Sequence, residues 1–503
     1  MGLSLATGGP ERPLAEVVGH LARRGAFGRI ADVMTPLISP GEARSVAWTI
    51  RAQKASLHAL ALALITACAP DEQAADWTER PPNVLLISID TLRADHLGTY
   101  GYGRNTSPRI DEFAEQAQVF ENASAASSWT LPGLATILTG EHSSTHGCWT
   151  FSSSLVGTIQ TLPERLLARG YDTASYTANI FTGQGYGLQQ GIILAGDEYL
   201  SADETKLGDA ISSPRITDGG IEYIATKGRA RTEAEDPWPW FLWLHYFDPH
   251  DTYLFHEGIS EEFVTPDADE RQRLQDLYDG EIRFTDAHIG RVLDALELSG
   301  QADGTIVIIT SDHGEEFGDH GGEFHGQTLH RELTNVPLLI RAPGFGAGRV
   351  TGQVQGVDVV PTVLDLTGSP TAKGLPGRSL RPLFAGEFTA EPNSRATRAL
   401  PSLQEVRLFP HASFDAIRFE QWTLIRDISN GGSHKLYNRN TDPGELIDCA
   451  SENVKVVERL AKLLDANVRL ATDRAEQFGS SGTQSLSAEQ MEALRGLGYV
   501  GQE

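Results

Sequence analysis

Three apolar runs in this 503-residue chain end in residues able to bind a cation or move a proton. NVLLISI runs into Asp90, PWFLWLHYF into Asp248 and His250, and TIVIITS into Asp312 and His313. Carboxylates and imidazoles are the ligand types that hold Ca2+, Mg2+, Mn2+ or Zn2+, so the set reads as a candidate divalent-metal centre. Taken singly, an acidic residue after such a run is as readily a helix cap. Convergence separates the two readings, and convergence depends on the elements that carry these residues.

Short continuous apolar runs suit strands buried on both faces of a parallel sheet. Helical segments lie between them. TLPERLLARG reads as a helix with a glycine stop before the strand YDTASYTAN, and LQDLYDGEIRFTDAHIGRVLDALELSG as a long amphipathic helix. NVPLLIRAPG then reads as a strand and QGVDVVPTVLDLTG as a helix. Strands alternating with helices predict an α/β fold with a mostly parallel sheet covered on both faces. In such sheets reactive residues collect at the carboxyl ends of the strands, which is where Asp90, His250, Asp312 and His313 fall. Near residue 385 the text turns polar and proline-containing. HKLYNRNTDPGELIDCASENVKVVERLAKLL next predicts a strand, a turn and a helix, and SAEQMEALRGLGYVG a last helix. The expected organisation is an extension over 1–68, a linker over 69–82, a catalytic domain over 83–385, a C-terminal subdomain over 386–480 and a tail over 481–503.

Composition narrows the function classes. Lys and Arg total 41 against 67 Asp and Glu, a formal charge of −26, which argues against a nucleic-acid partner because phosphate backbones need a basic face. Three cysteines, at 68, 148 and 449, make neither a disulfide scaffold nor a metal knuckle. No apolar stretch reaches the length of a membrane span. The basic residues Arg51 and Lys54, the run LHALALALITA and then Cys68 read as a signal segment. Ile65-Thr66-Ala67-Cys68 resembles a bacterial lipobox, which implies a lipid on Cys68 and a mature protein anchored outside the cytoplasm, in the periplasm or at the outer membrane. About 50 residues stand before this segment, and a start at Met34 or near Val46 would place it at the usual distance.

The block NVLLISIDTLRADHLGTYGYGRNTSPRIDEFAEQAQVFENASAASSWTLPGLATILTGEHSSTHG resembles the N-terminal signature of the sulfatase family, within the alkaline phosphatase superfamily. YFDPHDTY, SDHGEEFGDHG, GEFHGQTLHRELTNVPLLIRAPG and KLYNRNTDPGE follow in the family's order, so the resemblance spans roughly 82–465. It implies an alkaline-phosphatase-like α/β/α sandwich with a small C-terminal α+β subdomain, and metal-assisted cleavage of sulfate or phosphate esters. The family's nucleophile block is Cys or Ser, any residue, Pro, any residue, Arg. The matching text here is Thr130-Leu131-Pro132-Gly133-Leu134. Threonine is not converted to formylglycine by the usual route, the arginine is a leucine, and Asp90 is followed by Thr91 where many sulfatases have a second aspartate. Ser127 and Ser128 lie close but lack the x-Pro spacing.

These departures resemble the superfamily's phosphodiesterases and phosphotransferases, in which a threonine hydroxyl is made nucleophilic by a divalent cation. The implied ligands of one divalent ion are Asp90, Thr130, Asp312 and His313. A helix starting after Pro132 would aim its amides at the developing negative charge. His250 and His325 match positions that in relatives face the leaving group or hold a second metal, and are the expected catalytic companions of Thr130. His245, His320 and His330 read as structural, His146 matches a family loop position, and Arg93 with Asp95 reads as an ion pair ordering the first loop. The expected activity is hydrolysis of a small anionic ester, with a phosphodiester or phosphonate monoester favoured. The alternatives are a sulfatase proper, a headgroup phosphotransferase or a non-enzymatic binding protein.

Overall fold

The computed structural model describes residues 80–479 apart from 184, 198–210, 234–237, 371, 385–400 and 409–411, together with 481–483, 486, 488, 491 and 494. The signal segment, Cys68 and most of the expected last helix lie outside the described residues. The described residues fall in one compact unit.

In chain order the elements that matter are β1 (Asn83–Ile89), α1 (Pro108–Ala114), β2 (Gln118–Ser124), α2 (Thr130–Thr139), α3 (Leu162–Leu167), β3 (Asp172–Thr177) and β4 (Leu194–Asp197). They are followed by α4 (Ser213–Glu233), β5 (Trp240–Tyr246), α5 (Glu270–Leu298), β6 (Thr305–Ser311), β7 (Leu338–Arg341), β8 (Gly348–Gln355) and α6 (Val359–Leu366). The eight strands form one sheet in the order β8-β2-β7-β6-β1-β5-β3-β4. All neighbours run parallel except β7, which is antiparallel to both β2 and β6. Every residue of β1, β5 and β6 is buried, as the unbroken apolar runs require of strands covered on both faces.

The predicted helices form where their local signals place them. α3 opens with a capping box in which Thr161 and Glu164 exchange side-chain and backbone hydrogen bonds. α5 begins on Asp269, whose carboxylate accepts from the Gln272 amide at 2.8 Å. β2 had no distinct signal in the text, since its half-polar sequence QVFENAS hides a strand whose ends alone are fully buried.

Beyond the large sheet, β9 (Ser402–Leu408), β10 (Ala412–Phe419), β11 (Trp422–Asp427) and β12 (Ser433–Asn438) form an antiparallel sheet in that order. α7 (Val454–Ala475) lays Leu460, Leu464 and Ala471 against Leu403, Ile417, Leu424 and Leu436, a small core distinct from the large one. The described molecule is therefore an α/β sandwich around a mostly parallel sheet with a small α+β portion behind it.

Candidate metal centre and active site

Register brings the first residues together. Ile89 of β1 pairs with Ser311 of β6, so the next residue of each strand, Asp90 and Asp312, emerges side by side. On the other flank Ser88 pairs with His245 of β5, and the Ser88 hydroxyl meets His245 Nδ1 at 2.9 Å. His313 follows Asp312 and turns its Nε2 to 3.3 Å from Asp90 and 3.4 Å from Asp312. All four side chains are wholly or almost wholly buried.

Thr130 arrives from α2. The helix starts at Thr130 itself, three residues earlier than expected, because a proline in the first turn has no amide hydrogen that the helix would need and is accommodated there. The Thr130 hydroxyl is 3.5 Å from Asp90 Oδ1 and 3.2 Å from His313 Nε2. Gly133 sets this distance: a Cβ there would sit 2.6 Å from the Asp312 carbonyl oxygen, so the helix packs directly on the strand end that carries Asp312. Leu134, on the same helix, is buried in the core.

The turn after β1 is held in an uncommon conformation. Thr91 has φ 55, strained for a β-branched residue. Tyr278 donates to the Thr91 carbonyl at 2.7 Å and accepts from the Arg93 amide at 3.0 Å, while the Thr91 hydroxyl donates to the Pro249 carbonyl at 2.7 Å. These bonds aim Asp90 inward and tie its loop to the end of β5.

Electrostatics follow from burying two carboxylates with imidazoles. Burial and the neighbouring Asp90 charge push Asp312 up to about 7. Burial acts the same way on Asp90, but the close imidazoles of His245 and His313 outweigh it and hold Asp90 well below the usual carboxylate range. Burial would lower His313, yet the Asp312 charge and the Asp90 contact raise it to about 9. Among the described residues, the charged partners of Asp90 and Asp312 are histidines only. Two buried atoms here make no hydrogen bond, Asp312 Oδ2 and His245 Nε2. One ligand atom each from Asp90, His245 and Asp312 lies within 4.8 Å of the others. Buried polar atoms without partners are costly, and a cation is the group this oxygen and nitrogen set would satisfy. The donor set therefore fits a divalent metal.

His250 and His325 flank the cluster. Their rings are 4.8 Å apart at the centroids, and the His325 ring is 4.6 Å from that of His313. The Gly326 amide donates to the Ser128 carbonyl at 2.7 Å, which pins the His325 loop to the turn before α2. Burial lowers His250 to about 4 and His325 to about 3, so both imidazoles are neutral at rest.

The structure also redistributes the sequence candidates. Asp248 stands apart from the metal cluster: its carboxylate accepts from the amides of Ser212 and Ser213 at 2.9 and 2.8 Å and caps the start of α4. His245, read as structural, borders the cluster 3.5 Å from Asp90. Asn179, two residues beyond β3, donates to Asp90 Oδ2 at 2.7 Å. A polar residue just past the carboxyl end of a strand adjoining β5 was the signal for it. His146 bonds Thr136 at 3.2 Å and the Cys148 amide at 3.1 Å, a local packing role. Arg93 pairs with Asp95 at 3.0 Å as expected and with Asp319 at 3.1 Å. His320 and His330 stack at 3.7 Å beside Glu332, away from the cluster.

Comparison with known proteins gives the family and the fold. The family profile described as Sulfatase matches residues 82–369, and that of the N-sulphoglucosamine sulphohydrolase C-terminal region matches 318–469. An N-acetylglucosamine-6-O-sulfatase of Bacteroides thetaiotaomicron is 22% identical over 81% of this chain and 89% of its own. A structure solved with its substrate D-glucosamine-2-N,6-O-disulfate superposes with a TM-score of 0.64 at 21% identity, covering 78% of this chain and 99% of that one. The phosphonate monoester hydrolase of Agrobacterium radiobacter superposes at 0.62 with 20% identity, covering 77% and 95%. With its profile matched over more than half of its length, this chain belongs to the sulfatase family of metal-using hydrolases that act on ester bonds.

Proposed function

We propose that this protein hydrolyses small monoanionic phosphorus esters, phosphodiesters or phosphonate monoesters, with Thr130 as the nucleophile. The observation that carries the reading is the Thr130 hydroxyl, seated between Asp90 and His313 with a buried leucine where the family has its arginine. Asp90, Asp312, His313 and Thr130 would hold the ion, with His245 beside them. The chemistry a divalent cation supplies here is charge, which eases loss of a proton from a nearby hydroxyl and draws density from ester oxygens.

The chain's own groups do the rest. Thr130 Oγ forms the bond to phosphorus and its proton passes to solvent. The ester bond breaks with its electron pair on the leaving oxygen, which takes a proton from an imidazole of the His250 and His325 pair that solvent has first protonated. Water then attacks the phosphorylated threonine, its proton returns to that imidazole, and the threonine oxygen regains a proton from solvent. First-turn amides of α2 stabilise negative charge on the transferred group.

Charge selects the substrate. A phosphate monoester brings two negative charges to a site whose carboxylates, among the described residues, have only histidines as charged partners, whereas a diester or sulfate ester brings one. Unneutralised charge in a buried site costs several kcal/mol. Among monoanions, a sulfated threonine lacks the elimination route open to formylglycine, which favours phosphorus. The relative named a phosphonate monoester hydrolase supports this reading, and the relatives named sulfatases support the competing one, sulfate ester hydrolysis. The test is kcat/KM for a bis-aryl phosphate, an aryl phosphonate monoester, an aryl phosphate and an aryl sulfate on one metal-loaded preparation. The phosphorus monoanions are expected to lead. A sulfate preference above about tenfold, about 1.4 kcal/mol, overturns the proposal. We also infer from the lipobox-like Ile65–Cys68 that the enzyme works outside the cytoplasm, held by a lipid on Cys68.

A further inference from the structure

A cavity of about 420 Å³ opens between the far end of α2 and α7. α2 carries Thr130 at its first residue and ends at Gly140, so its ten residues, at a rise of about 1.5 Å each, separate the two sites by roughly 15 Å. The volume is within the range of small-molecule sites, roughly 300 to 1,000 Å³. α7 lines it with a stripe of residues three and four apart, Asn467, Leu470, Arg474 and Gln477. Leu470 is 68% exposed, a large apolar side chain left uncovered on that stripe. The segment just after α2 contributes His142, which is 8% exposed and whose ring makes no hydrogen bond to any described residue. Burial alone lowers it to about 4, so the imidazole is neutral and offers one N–H donor and one acceptor. Buried polar groups without partners are costly, and here the free space that would hold a partner adjoins the ring.

Charge and polarity narrow what fits. Among the described lining residues Arg474 is the cation, and both oxygens of buried Glu141 engage its guanidinium. An anion would therefore meet no free positive charge, and the exposed carboxylate of Asp473 would repel it. A single exposed carboxylate is too weak a counter-charge to hold a cation. Leu470 and Pro376 are apolar, whereas His142, Asn467 and Gln355 carry hydrogen-bonding groups. A neutral ring with a carbon face and a hydroxyl-bearing edge matches that division, and a pyranose sugar is such a ring. We propose that this cavity is a second ligand site, separate from the metal centre, that takes an uncharged pyranose unit with its hydroxyls on His142 and Asn467 and its carbon face on Leu470. Asn467 Nδ2 already donates to the Leu463 carbonyl at 2.8 Å, which leaves the carboxamide oxygen to accept from a sugar hydroxyl. The site stands whether or not Thr130 is the nucleophile.

The test uses the full chain with Mg2+ present and methyl β-D-glucopyranoside as the probe, followed by saturation-transfer NMR and by nitrogen-15 shifts of the histidine rings. The sugar is expected to move the His142 ring signals. It should bind equally well to Thr130→Ala, since that residue lies at the other end of α2. Leu470→Trp, which fills the cavity from an exposed position, should weaken binding by at least about tenfold. His142→Phe keeps a ring of similar size and removes both nitrogens, so it should weaken binding about tenfold while thermal melting stays at the parent value. Glucose 6-phosphate, the same ring carrying a phosphate dianion, should bind at least about tenfold more weakly than the methyl glucoside. Absence of saturation transfer, undiminished binding in either cavity variant, equal affinity for the phosphate, loss of binding in Thr130→Ala, or His142 signals that stay in place overturns the proposal. If His142→Phe does not fold, Leu470→Trp and the parent spectrum decide it.

Discussion

At the scale of single residues, the centre depends on a hydroxyl and a hydrogen atom. Thr130→Ala removes the proposed attacking oxygen but leaves Asp90, Asp312, His313 and His245 in place. Turnover should fall to background while calorimetric metal binding weakens by no more than about tenfold. Undiminished turnover would move the nucleophile elsewhere. Gly133→Ala adds a methyl group 2.6 Å from the Asp312 carbonyl oxygen, and that neighbour is backbone at a strand end, unable to yield cheaply. Overpacking of this kind costs about 1 to 3 kcal/mol, and here the strain falls on the Thr130 to Asp312 spacing. A variant that melts slightly lower yet loses most of its activity is the expected outcome, read by thermal melting and kcat/KM. Full activity would show that the spacing is not tight.

Elements decide which of these residues meet. The loop after β6 runs from Asp312 through His325 to His330, and His320 anchors it by lying 2.7 Å from Glu332 and 2.7 Å from the Glu445 carbonyl in the small C-terminal portion. Burial would lower His320, but the Glu332 and Glu445 contacts raise it to about 9, above its ordinary 6.5. A histidine raised on folding contributes stability that is fully present below about 6.5 and is lost as pH climbs through about 9. Glu332 is itself pushed up by burial, which offsets part of the gain. Stability should therefore drop by about 1 to 2 kcal/mol between pH 6.5 and 9.5, and His320→Gln should flatten that part of the profile in urea titrations. An unchanged slope in the variant would remove His320 as the cause.

Across the whole molecule, charge and location govern access. A net charge of −26 repels polyanions over a Debye length. For a polyanionic ester, kcat/KM should rise with salt between 10 and 150 mM (ionic strengths at which the Debye length shrinks from about 30 to about 8 Å). A small monoanionic ester should change little, and an equal response from both would mean that the field does not reach the site. Cys68→Ala, expressed from the full chain, should move the protein from the membrane pellet to the soluble extracytoplasmic fraction. Retention in the pellet would leave the lipid without a role in anchoring.

The sequence by itself determined the kind of chemistry and the kind of fold. Short continuous apolar runs ended by Asp90, Asp312 and His313 suit strands buried on both faces of a parallel sheet, and such strands leave their reactive residues at the carboxyl end. Thr130 and His325 were legible only through the family blocks, since a lone threonine or histidine carries no local signal of its surroundings. Tertiary structure decided the rest. The pairing of Ile89 with Ser311 set Asp90 against Asp312, the contact at Gly133 set the reach of Thr130, and the pairing of Ser88 with His245 drew that histidine to the cluster. The same packing turned Asp248 away to cap α4 and placed Asn179 and Glu315 behind the reactive groups. Strand register and helix approach are properties of two segments at once, so no reading of either segment alone contains them.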